Sequence, residues 1–64
     1  MTECDEVARS ISAKVGLTCL RGLRSMRDAE ALANLYMGDE SYTIRNNVAA
    51  ALLRLAREKG NGTR

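Results

Sequence analysis

The chain predicts a mainly α architecture: three short helices joined by tight turns and associating as a homodimeric helical bundle. Three observations carry that expectation. Helix formers dominate, Pro is absent, and the β-branched residues are scattered instead of alternating. Apolar residues recur at spacings of three and four in stretches near residues 3–15, 18–37 and 40–59. The candidate core is also thin, because nine of the hydrophobic residues are Ala and the chain has neither Phe nor Trp. A chain of 64 residues buries only about 60% of the surface it exposes when unfolded. Self-association is the usual remedy where disulfides and metals are lacking.

The first stretch places Cys4, Val7, Ala8, Ile11 and Val15 on one helical face. Thr2 is a candidate N-cap, and Glu3, Asp5 and Glu6 sit where the helix dipole favours negative charge. Asp5 and Arg9 form an i,i+4 pair. Gly16 reads as the stop, supplying a positive-φ position.

The second stretch, 18–37, puts Cys19, Leu23, Met26, Ala33 and Met37 on one face. A helix running through it would carry Gly22 at a cost of about 1 kcal/mol relative to Ala. Ser25 followed by Asp28 has the shape of a capping box with Asp in the acidic position, so helix from about Ser25 to Met37 is the firm part. Residues 17–24 are open to helix, turn or a short strand. Gly38 ends this helix, and Asp39 or Ser41 caps the third. There Ile44, Val48, Ala51, Leu52, Leu55 and Ala56 form a wide apolar face with Leu53 on its edge. Residues 1–59 read as one domain and 60–64 as a flexible tail.

Missing residue types narrow the chemistry. With no His there is no Ser-His-Asp triad and no imidazole ligand. Cys4 and Cys19 alone cannot make a four-ligand zinc site, and each reads as a small core hydrophobe. Ser10 and Lys14 lie at i,i+4 but have no accompanying oxyanion hole. No apolar run approaches the roughly 18 residues that span a membrane. These features lead to the expectation of a non-enzymatic, cytoplasmic protein without metal or cofactor.

Two sets of residues suggest a partner. Arg21, Arg24 and Arg27, spaced by three, would form a basic stripe able to touch phosphates. The competing reading is a solvated face balanced by Asp28 and Glu30, and a net charge of +2 is modest for a nucleic-acid binder. Tyr36 and Tyr42 flank the Gly38 turn. Such a pair closes the core between two helices by default; exposed, it would join Leu53 as an anchor for a partner protein. A second basic group, Arg54, Arg57, Lys59 and Arg64, complements the last helix's dipole.

Ile44-Arg45-Asn46-Asn47-Val48, preceded by Gly38-Asp39-Glu40-Ser41, resembles the opening of the second helix in ribbon-helix-helix DNA-binding repressors. Leu32-Ala33 stands where that family's first helix carries an aliphatic-Ala pair. The resemblance covers residues 17–59 and implies an alternative fold, a dimer in which 17–21 form an intermolecular strand and Thr18 reads bases. Asn47 and the scarcity of β-branched residues in 17–21 depart from the family's pattern. The resulting expectation is a dimeric DNA-binding transcriptional regulator of phage or plasmid type. The alternative is a helical adaptor or inhibitor that binds a partner protein.

Overall fold

The computed structural model describes residues 3–61, with side chains described through Lys59. It holds three α-helices, α1 (Glu3–Arg21), α2 (Met26–Tyr36) and α3 (Tyr42–Ala56), and a closing π-helical turn at Arg57–Asn61. Among the described residues there is no strand. The mainly α expectation holds. Thr2 and residues 62–64 lie outside the described residues, while Gly60 and Asn61 belong to the π turn and not to a tail.

Gly16 breaks α1 as its sequence position predicts. Its φ of 87° and ψ of 164° lie in a region essentially reserved for glycine. What the sequence did not announce is that the chain resumes as helix immediately afterwards. Residues 17–21, open to helix, turn or strand in the sequence, are helical in the single chain. The break also resets the helical phase. Leu20 turns fully into the core while Cys19 faces solvent, which corrects the reading of Cys19 as a core hydrophobe.

The expected continuous helix over 18–37 is likewise corrected. The chain turns at residues 22–25 and restarts with Ser25 extended as N-cap, its hydroxyl accepting from the Asp28 N–H at 3.4 Å. The Asp28 carboxylate accepts the Arg24 backbone N–H at 3.2 Å. A shorter acid than Glu thus completes the box by reaching one residue further back. At the other end of α2, Met37 leaves helical geometry and donates its N–H to Ala33 at 2.8 Å. Gly38 takes no positive φ, so the helix ends beside it without the left-handed cap its glycine suggested. Ser41 caps α3 by accepting the Ile44 N–H at 3.3 Å.

α1 and α3 run parallel. The groove between them is lined at one end by Cys4, Asp5, Asn47, Ala50 and Ala51, and further along by Arg9, Ser12, Ala13, Leu55 and Glu58. The short turn at 37–41 folds α2 back antiparallel on α3. An Arg54–Asp5 ion pair at 3.7 Å ties α3 to α1. Arg45 ties α3 to α2, its guanidinium donating to the Asn34 side-chain oxygen and to the Glu40 carbonyl.

The core is a single cluster. Of its twelve buried hydrophobic residues among those described, Ala8, Ala29, Ala33, Ala49, Ala51 and Ala56 are alanines, and the largest fully buried side chains are Leu20, Leu52 and Val48. Small residues let the helices approach closely but bring little apolar area each. Even so, the single chain closes: its radius of gyration is 10.7 Å, against about 11 Å expected for a folded domain of this length. α3 packs on both α1 and α2, so its buried arc is wider than one face and takes in Leu53.

Candidate functional site

The topology sorts the charges. Because α2 runs antiparallel to α3, one end of the bundle carries the α2–α3 turn, while the start of α1 packs beside the middle of α3, with Cys4 and Asp5 against Asn47, Ala50, Ala51 and Arg54. The other end collects the α1–α2 corner and the end of α3. Asp39 and Glu40 are exposed at the first end, and Glu3 and Glu6 are exposed on the opening turns of α1. Arg21, Arg24, Arg27, Arg57 and Lys59 are exposed at the second, with the exposed acids Asp28 and Glu58 among them.

The three predicted arginines do not form a stripe on one helix. Arg21 ends α1, Arg24 lies in the turn, and Arg27 is in the first turn of α2. They are brought together around a corner instead. Among the described residues none of their guanidiniums has a hydrogen-bond or ion-pair partner. Asp28, expected to balance these arginines, binds the Arg24 backbone N–H instead, so its carboxylate serves the cap and leaves the guanidinium uncommitted. Thr18 is exposed one helical turn before Arg21. Both tyrosines are at the opposite end, so no aromatic ring stands beside the arginines.

The predicted protein-binding anchors separate. Leu53 is only 8% exposed and belongs to the core, which removes it from any surface. Tyr36 and Tyr42 are 44% and 67% exposed, so they do not close the α2–α3 core as the default reading supposed. Leu35, which the sequence gave no reason to single out, is 80% exposed on the last turn of α2, and Ile44 is 40% exposed on the first turn of α3. Its neighbour Arg45, part of the repressor-like motif, is engaged within the fold by Asn34 and Glu40.

Among the described residues no group of His, Cys, Asp and Glu could hold a metal ion, and no helix is long and apolar enough to cross a membrane. Comparison with protein-family models, with curated proteins and with solved structures finds no match to this chain.

Proposed function

We propose that this protein is a small DNA-binding regulator without catalytic chemistry of its own, and that its α1–α2 corner grips the phosphates of duplex DNA. The observation that carries this reading is the corner itself, with Arg21, Arg24 and Arg27 exposed and, among the described residues, unpartnered. Guanidinium suits phosphate because its planar fork donates two parallel hydrogen bonds. Asp39 and Glu40 at the far end add a charge polarity that points the corner toward a polyanion.

Duplex is favoured over single strands, which are held chiefly by stacking bases on aromatic side chains. Thr18, beside the corner, is the candidate for a groove contact. Three phosphate contacts bind weakly, so the reading includes a homodimer that doubles them.

Salt dependence tests all of this. Each neutralised phosphate contributes about −0.9 to the log–log slope, so one chain gives about −2.7 and a dimer about −5.4. Between about 50 and about 200 mM salt, affinity for a labelled random duplex then falls ~40-fold for one chain and ~2,000-fold for two. Replacing the three arginines by Gln should flatten the slope, and replacing them by Lys should preserve most of it. Absence of any binding at the lower salt would overturn the proposal.

A further inference from the structure

The other end of the bundle carries a surface of opposite character. We propose that the α2–α3 end docks a basic amphipathic helix from a partner protein. Among the described residues five large apolar side chains stand out from the fold, and four of them, Leu35, Tyr36, Tyr42 and Ile44, are at this end. They occupy the last turn of α2 and the first turn of α3, which the turn at 37–41 holds side by side. The position is costly for a domain whose buried cluster is half alanine, because its only aromatic rings are left in water. Such rings, apolar in body and polar at the tip, are the side chains that most often anchor a partner.

Charge selects the occupant. Asp39 and Glu40 lie exposed in the turn between the two apolar pairs. In the turn and the first helical turn of α3 the only cation is Arg45, whose guanidinium already serves Asn34 and the Glu40 carbonyl. An apolar centre edged by carboxylates repels nucleic acid and anionic lipid, and repels a second copy of itself placed face to face. It complements a segment with Leu-type residues on one face and Lys or Arg beside them, the pattern of helix-in-groove recognition.

The chain provides its own reporter. Tyr36 and Tyr42 are its only aromatic residues, so intrinsic fluorescence reads this end alone. The probe is a Leu/Lys amphipathic helical peptide of ~18 residues, free of aromatics, with a Leu/Glu peptide of identical pattern as its counterpart. The Leu/Lys peptide should change the tyrosine emission saturably, and the Leu/Glu peptide should not. Leu35→Asp should weaken binding about tenfold or more, although its added carboxylate would by charge alone strengthen it. Leu35 is exposed, so the variant should keep its helical circular dichroism and its duplex-DNA affinity, which separates this surface from the arginine corner.

Equal or tighter peptide binding by Leu35→Asp would overturn the proposal, since the attraction would then be charge alone. Binding of the Leu/Glu peptide would overturn it too. So would tyrosine emission that changes with protein concentration alone and is insensitive to concentration in Leu35→Asp, for the occupant would then be a second copy.

Discussion

Gly16→Ala offers a test in which the sign of the effect decides. At φ 87° and ψ 164° an L-residue is strained, at about 1–3 kcal/mol for a backbone held in such a region. A Cβ built there meets nothing within 4 Å, so no steric clash adds to the backbone term. Ala also restricts the unfolded chain, which returns about 0.4–1 kcal/mol. The net expectation is a loss of about 1–2 kcal/mol from a total of about 3–10 kcal/mol for a domain of this length. At roughly 4–8 °C per kcal/mol, the midpoint of thermal unfolding should fall by ~5–15 °C. If α1 were a continuous helix at this point, the same substitution would stabilise by about 1 kcal/mol and the midpoint would rise. A chemically synthesised chain with D-Ala at position 16 supplies the control, because the mirror-image residue reaches positive φ without strain. It should unfold at or above the wild-type midpoint. Gly16→Ala raising the midpoint, or D-Ala lowering it, would refute the break in α1.

Other side chains give smaller or larger effects. Ser25→Ala and Ser41→Ala each remove an N-cap acceptor and should cost about 1 kcal/mol in urea unfolding. Leu20→Ala should cost about 2–5 kcal/mol, enough to leave much of the population unfolded, whereas Cys19→Ala should be nearly silent; equal effects would place the phase of 17–21 elsewhere. Asp5→Asn should cost well under 1 kcal/mol and lose its effect in high salt, because the Arg54 partner is 65% exposed. Arg45→Ala should cost about 1 kcal/mol through its two hydrogen bonds, and it should not change the salt slope of DNA binding.

What the sequence made legible was local. The serine caps, the acid that completes the first of them and the glycine that interrupts α1 all act over three or four residues, and each was recoverable from spacing. Phase across an interruption was not. The pattern running from Cys19 to Met37 assumed one helix, and a break at Gly16 followed by a turn at 22–25 moved Leu20 inward and Cys19 outward. Leu53 went astray for a different reason. A wheel with one apolar face suits a helix with one neighbour, and α3 has two. The arginines were correctly singled out, but as a stripe, whereas their proximity depends on the corner. The Arg45–Asn34 contact joins residues with nothing local to pair them. Leu35 and Ile44 fit helical spacing as well as any core residue does; only the direction in which α2 returns on α3 leaves them outside.

The parallel run of α1 and α3 has a mechanical consequence. Because the two helices are parallel, tension applied between the start of α1 and the end of α3 lies along the helix axes. It would load the α1–α3 seam in shear, asking the whole interface to slide at once instead of opening turn by turn. Alanines such as Ala13, Ala50 and Ala51 line that seam, and their low ridges interlock shallowly. Resistance to that sliding therefore falls mainly on the taller side chains in the buried cluster, Ile11, Leu20 and Leu52.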